Sequence, residues 1–313
     1  MPLDPQVQAI REQRRRGRVP PLYTLTVEQA READLAAIRA AADEPEPVHE
    51  VTDRILPGPG VELPVRLYRP SGERPLPALV YFFGGGWTLG SIETSDAICR
   101  RLANSAGCVV VTPGYRLAPE WKFPAAVGDC DAAVGWVAAQ AAELGIDPGR
   151  LAVGGDSAGG NLAAAVTLLC RDRSGPGLVA QLLVYPVTDY LSDTASMRDA
   201  TDPLLFNRDS VAWYWRHYLL SPEDGLDPFA SPLRAADLGR LPPALVITAE
   251  YDPLRDQGEQ YADRLRGAGV PVELTRYSGM IHGFFAMSGE LDGGRRALAQ
   301  AARFLREKLA SEA

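Results

Sequence analysis

Leu151-Ala-Val-Gly-Gly-Asp-Ser-Ala-Gly-Gly160 sets a short apolar run directly against a turn of small residues. Leu151, Ala152 and Val153 predict a buried strand, and Asn161 to Cys170 is apolar enough to predict a packed helix. Between them Gly155-x-Ser157-x-Gly159 has the strand-turn-helix arrangement of a nucleophile elbow. Glycines remove Cβ clashes in a tight turn, and the serine hydroxyl is lifted clear of the sheet. The first amides of the following helix point back towards Ser157, where negative charge develops during acyl transfer. The pattern alone is weak, because 30 glycines in 313 residues make a chance match common. A turn that merely lets a helix pack on a sheet is the competing reading, and the flanking strand and helix are what favour the elbow.

The rest of the chain bounds the answer. With 313 residues, 46% of them hydrophobic, there is ample material for one large α/β domain or two smaller ones. A net charge of −8 argues against a nucleic-acid partner. No run approaches the length of a membrane span. Met1-Pro-Leu-Asp-Pro5 lacks a basic region followed by an apolar core, so a cytoplasmic location is expected. Cys99, Cys108, Cys130 and Cys170 are widely spaced, with no C-x-x-C and no paired histidines. Buried free thiols are therefore expected, with no metal site and no cofactor.

Working outward, the first 45 residues form a charged, helix-forming lead. Val27 to Ala42 spaces Ala30, Ala33, Leu35, Ala37 and Ile38 as a weak apolar face, which predicts a helix lying over the body of the protein. Val48 to Leu56 and Val61 to Tyr68 alternate apolar and polar residues around Pro57-Gly-Pro-Gly60, which predicts an antiparallel edge pair. The rhythm then becomes strand and helix in turn: strands at 78–83, 108–112, 151–153, 180–185, 244–249 and 272–277. The helices between them predict a mostly parallel sheet covered on both faces. From Tyr190 to about Leu233 this alternation is interrupted. Trp213, Tyr214, Trp215, His217 and Tyr218 crowd one helical stretch there, as in a cap inserted over the strand ends.

A serine nucleophile needs a base, and the base needs an acid behind it. Of the three histidines, His49 begins an edge strand and His217 lies in the inserted stretch. His282 directly follows a predicted strand, at the sheet end where Ser157 also lies, and is the expected base. The strand at 244–249 runs into Glu250-Tyr-Asp-Pro-Leu-Arg-Asp256. Asp252 is the expected acid, with Glu250 and Asp256 as rivals. Phe83-Gly84-Gly85-Gly86-Trp87 follows the first buried strand, and its Cβ-free backbone suits an oxyanion hole. Gly85 and Gly86 are the expected donors, with Ala158 after the serine as a third.

These segments resemble the hormone-sensitive-lipase-like family of α/β-hydrolases, the bacterial family IV carboxylesterases. The marks are Gly84-Gly-Gly-Trp87, Tyr115-Arg-Leu-Ala-Pro-Glu120 with Phe123-Pro-Ala-Ala126, Gly155-Asp-Ser-Ala-Gly-Gly160, Asp252-Pro-Leu-Arg-Asp256 and His282-Gly-Phe284. The resemblance implies an α/β-hydrolase fold with a helical cap, hydrolysis of short to medium acyl esters through an acyl-enzyme, and no cofactor. Two positions depart from it. Phe83 stands where the family usually has histidine, and Gly114 where it usually has aspartate. The expectation is that two polar partners are absent together and that Phe83 fills an apolar niche.

The expected organisation is N-terminal cap helices at 1–47, core at 48–189, a cap insertion at 190–233 and core again at 234–313. Trp87, Tyr185, Phe206, Trp213, Ile281 and Phe284 are candidates for the substrate pocket, each with core packing as the other reading. The expected partner is a small-molecule ester, and the sequence leaves a homodimer open. Two other functions stand beside ester hydrolysis: an amidase or deacetylase acting on a specialised metabolite, and a small-molecule receptor on the same fold.

Overall fold

A computed structural model describes residues 2–310. The elements in chain order are α1 (Pro5–Arg16), α2 (Val27–Ala41), β1 (Glu50–Gly58), β2 (Val61–Arg69), β3 (Leu76–Phe82), α3 (Asp96–Ala106) and β4 (Val109–Pro113). They continue with α4 (Ala125–Ala139), α5 (Ala141–Leu144), β5 (Ile146–Asp156), α6 (Ala158–Asp172), β6 (Ala180–Val184), α7 (Ala195–Asp199) and α8 (Arg208–Tyr218). The last are β7 (Ala244–Tyr251), α9 (Arg255–Gly267), β8 (Val272–Ile281) and α10 (Asp292–Lys308). The expected antiparallel pair is present, but β1 runs two residues further than its alternation suggested, because Pro59-Gly60 alone closes the hairpin onto the Gly58–Val61 pair.

The eight strands form one sheet in the order β1-β2-β4-β3-β5-β6-β7-β8. From β4 to β8 neighbouring strands are parallel, while β1, β2 and β4 pair antiparallel. Residues of the central strands alternate between two buried layers, as the strand period requires. Val80, Val153, Leu183 and Val246 face the layer that holds α4, α6 and α9. Leu79, Ala152, Leu182 and Leu245 face the layer of α3 and α10. Chain order reverses around β3, whose neighbours are β4 on one side and β5 on the other, which opens a crevice at the carboxyl ends.

Two segments reach that crevice. The first is the N-terminal pair α1 and α2, and the start of α2 is fixed by a capping box between Thr26 and Gln29. Arg31 then pins α2 to the body: its guanidinium donates to the carbonyls of Thr88 and Ala118 at 2.9 and 3.0 Å and pairs with both Glu120 oxygens at 2.8 Å. The second is the stretch between β6 and β7. Its base is closed by buried Asn161, which donates to Val187 and Ala230, and by Gln257, whose Oε1 accepts from Thr188 and Asp189. Arg14 of α1 donates to the Leu204 carbonyl at 3.1 Å, so the two segments are also tied to each other. All four cysteines are buried and unbridged. No helix among the described residues is long and apolar enough to cross a membrane.

The loop after β4 is fastened from beneath by one ion pair. Asp129 of α4 is fully buried, accepts from the Arg116 backbone amide at 2.9 Å, and takes the Arg116 guanidinium on both oxygens. Removing one partner strands a buried charge, whereas an exposed pair is screened by water. Arg116→Ala, which leaves the buried Asp129 carboxylate without its cation, is therefore expected to lower stability by about 3–5 kcal/mol in denaturant unfolding. Glu273→Ala, at the exposed Arg303 pair, is expected to cost less than about 1 kcal/mol in the same assay.

Candidate active site

β5 ends at Asp156 and α6 begins at Ala158, so Ser157 alone makes the turn between them. It holds φ 56° and ψ −118°, a backbone that a non-glycine residue keeps only when its surroundings enforce it. The Ser157 amide donates to the Val184 carbonyl at 2.8 Å, fastening the turn to the neighbouring strand β6. On the other side α6 presses against the end of β3. A Cβ at Gly159 would stand 1.9 Å from the Phe82 carbonyl oxygen, so only glycine allows that approach.

The loops that follow β7 and β8 bring two further groups to the same end of the sheet. His282 Nε2 lies 2.9 Å from Ser157 Oγ, and His282 Nδ1 lies 2.7 Å from Asp252 Oδ2. A carboxylate only accepts, so Nδ1 carries the proton towards Asp252 and Nε2 is left to accept from the serine hydroxyl. Asp252 is buried, and its other oxygen accepts from the Leu254 amide at 2.8 Å. The imidazole plane is held by aromatic contact: Phe206 stacks on it at 4.2 Å and Tyr185 leans on it at 4.6 Å. The structure thus brings Ser157, His282 and Asp252 into one hydrogen-bonded row, which can carry a proton from Oγ to the imidazole. His217 is turned elsewhere, with Nδ1 2.8 Å from the Trp213 carbonyl, and His49 lies just before β1.

The glycine loop after β3 is moored to the elbow by Asp156. Its Oδ1 accepts from the Gly84 amide at 3.1 Å and from the Tyr81 hydroxyl at 2.8 Å. Burial pushes the Asp156 carboxyl up, and the Tyr81 hydroxyl opposes the shift. The amides of Gly85 and Gly86 have no protein acceptor among the described residues, and both line the crevice beside Ser157. Gly86, at φ 58°, lies under the Tyr214 ring of α8, leaving no room for a Cβ. Ala158 opens α6, with its amide next to the serine.

Phe83 is buried and stacks on Tyr115 at 4.2 Å with planes 16° apart, while the Tyr115 hydroxyl donates to the Phe83 carbonyl at 2.7 Å. The apolar niche exists. The ring partner of Phe83 is Tyr115, next in the chain to Gly114, where the atoms nearest an added Cβ belong to Pro64 and Ile92.

The crevice over Ser157 encloses about 210 Å³ and opens into a more apolar cavity of about 510 Å³ between α1, α2 and α8. Arg14, Asp34, Phe206, Tyr214 and Met287 border both. Of the expected pocket residues, Tyr185 and Phe206 line the crevice. Trp87, Trp213, Ile281 and Phe284 do not, which corrects that expectation. Trp87 stacks on Tyr218 at 4.0 Å, and Trp213 packs with Ala30 and Leu89 beneath α2. Ile281 and Phe284 are buried with the α10 face of the sheet. Sequence reasoning also passed over Asp34, Tyr214, Asp156 and Tyr115. Asp34 left a signal, an acid at i+4 from Ala30 and i−3 from Ala37 within the apolar stripe of α2. Among the described residues no three His, Cys, Asp or Glu side chains converge as a metal site would require.

Known proteins are similar to this chain in sequence and in structure. The chain is 45% identical over 274 residues to a carboxylic ester hydrolase of Mycobacterium tuberculosis, covering 86% of this chain and 73% of that one. It is 38% identical over 312 residues to an ethyl acetate hydrolase of Pseudomonas putida, covering 97% of each. A solved hyperthermophilic esterase from the archaeon Pyrobaculum calidifontis matches 99% of this chain and 100% of its own, with TM-score 0.94 and 45% identity. A family model for the alpha/beta hydrolase fold matches residues 79–286, from within β3 to just beyond His282. Because that match spans both glycine-rich turns and every strand end that meets Ser157, the chain belongs to the alpha/beta hydrolase fold family.

Proposed function

We propose that this protein is a serine hydrolase that cleaves carboxylic esters of short to medium acyl chains through an acyl-enzyme. The observation that carries this reading is the hydrogen-bonded row from Ser157 Oγ through His282 to Asp252, open to a crevice bordered by the unpaired Gly85 and Gly86 amides. It is further supported by the ester-cleaving activities for which the Mycobacterium tuberculosis and Pseudomonas putida relatives are named.

In this reading His282 takes the Ser157 proton as Oγ attacks the ester carbonyl. Asp252 keeps the imidazole in the required tautomer and stabilises the imidazolium. The tetrahedral oxyanion falls to the amides of Gly85, Gly86 and Ala158. That hole is already assembled, because Asp156 holds Gly84 and Tyr115 holds the Phe83 carbonyl, so little reorganisation is needed as charge develops. His282 then passes its proton to the leaving alcohol. Water enters on the same base, Oγ is released, and the acid product leaves with the serine proton restored. Phe83, in place of a polar side chain before the glycines, serves the loop by stacking rather than by hydrogen bonding. Residues 1–47 and 190–233 form the cap in this reading, with Tyr185 and Phe206 against the acyl or alcohol group beside the imidazole.

Ser157→Ala is expected to lower kcat on p-nitrophenyl butyrate by about 10⁴- to 10⁶-fold and to abolish labelling by a fluorophosphonate probe, with the fold intact by circular dichroism. Asp252→Asn is expected to lower kcat by about 10⁴-fold, because the imidazole then loses its enforced tautomer. Wild-type turnover unchanged in Ser157→Ala would sink the proposal. Tyr115→Phe leaves the stack but frees the Phe83 carbonyl. It is expected to lower kcat by about 10-fold with little change in KM, since the loop matters most when the oxyanion forms.

A further inference from the structure

α2 carries into the crevice one carboxyl for which ester cleavage itself has no use. Asp34 shares the inward stripe of the helix with Ala30, Ala37 and Ala41. The rotation of that stripe is fixed one turn earlier, where Arg31 is clamped to Thr88, Ala118 and Glu120. Asp34 therefore borders both the crevice over Ser157 and the apolar cavity behind it.

The surroundings of this carboxyl are incomplete. Asp34 Oδ2 is shut away from water and accepts no hydrogen bond. Arg14, on the same wall, spends a donor on the Leu204 carbonyl and does not pair with it. Across the crevice stand Asp156 at the end of β5, Tyr214 on α8 and His282 after β8. Burial, with Asp156 as a second contributor, pushes the Asp34 carboxyl up to about 7. The other carboxyl oxygen has no protein partner among the described residues either and keeps accessible surface where Asp34 lines the crevice, so it is the acceptor that an entering donor can reach.

We propose that Asp34 is a specificity-determining residue whose carboxyl receives an O–H or N–H donor carried by the substrate away from the ester group. The preferred substrates are then hydroxy- or amino-substituted esters rather than wholly aliphatic ones. This rests on the ester-hydrolase reading above. Below pH 7 the carboxyl is protonated and still accepts through its carbonyl oxygen. Above pH 7 it is ionised, accepts more strongly, and disfavours an aliphatic chain laid against it. Preference for the donor-bearing ester therefore rises as the pH passes 7.

The test uses isosteric pairs that differ by hydroxyl against methyl. On the acyl side the pair is ethyl 6-hydroxyhexanoate and ethyl heptanoate; on the alcohol side it is 4-hydroxybutyl acetate and pentyl acetate. The reading is the ratio of kcat/KM within a pair, from pH 6 to 8.5, because any titration of the row at Ser157 scales both members alike. Wild-type protein is expected to favour the hydroxy ester of one pair by about 10-fold above pH 7. Asp34→Leu is expected to remove or invert that preference while still turning over p-nitrophenyl butyrate. Asp34→Asn, which keeps shape and an acceptor, is expected to retain a preference that no longer varies with pH. Ratios in both variants equal to wild type would overturn the proposal while leaving the ester-hydrolase reading intact. Wild-type protein inert towards every ester would overturn both.

Discussion

The contact on which the site depends is the approach of α6 to the end of β3, where Gly159 lies against the Phe82 carbonyl closely enough to exclude a Cβ. That approach puts the turn at Ser157 and the loop at Gly84–Gly86 within hydrogen-bonding distance of each other. Asp156 uses it, reaching from the elbow to the Gly84 amide. The glycine loop is consequently fixed relative to the serine by backbone packing and one buried carboxyl. A strained Ser157 backbone is the companion of this closeness, and the Val184 carbonyl and the sheet around it hold that strain in place.

The second constraint lies above the sheet. α2 has little apolar surface of its own, so hydrogen bonds join the burial of Ala30 and Ala41 in placing it. Arg31 donates to carbonyls on the glycine-loop side of the core, and the Gly289 amide donates to the Ala41 carbonyl at 3.1 Å. A helix that would otherwise lie loosely over the strand ends is thereby given a defined rotation, and Asp34 follows from that rotation. α8 contributes in the complementary way. Its aromatic side chains divide between Trp213 and Trp215, packed inward, and Tyr214, which covers Gly86 and borders the crevice.

Much of this was legible in the chain. The strand-and-helix alternation, the elbow, the glycine loop and the position of His282 and Asp252 after strands all follow from local pattern, because a parallel sheet sends its functional loops to one end. The aromatic residues were not legible. Trp213 and Phe206 are equally apolar and lie in the same stretch, yet one packs beneath α2 and the other stacks on His282. Which way an aromatic side chain of an inserted segment points depends on the surface it lands on, and that surface belongs to distant parts of the sequence. The ring partner of Phe83 was not legible for the same reason. Residues before and after different strands share a layer only if the register brings them together, and it is Tyr115, one position after Gly114, that faces Phe83.

The sequence by itself determined the fold class and the chemistry-bearing residues at the strand ends, since period, turn glycines and residue type are local properties. Only the tertiary structure decided which side chains surround them. The clamp of Arg31, the mooring of Gly84 by Asp156 and the exposure of Asp34 to the crevice each join segments far apart in the chain. The pattern within α2 sets Asp34 in the apolar stripe but does not say what that stripe faces. The helix must first be laid on the sheet, at the angle its long-range hydrogen bonds impose, before that carboxyl has surroundings at all.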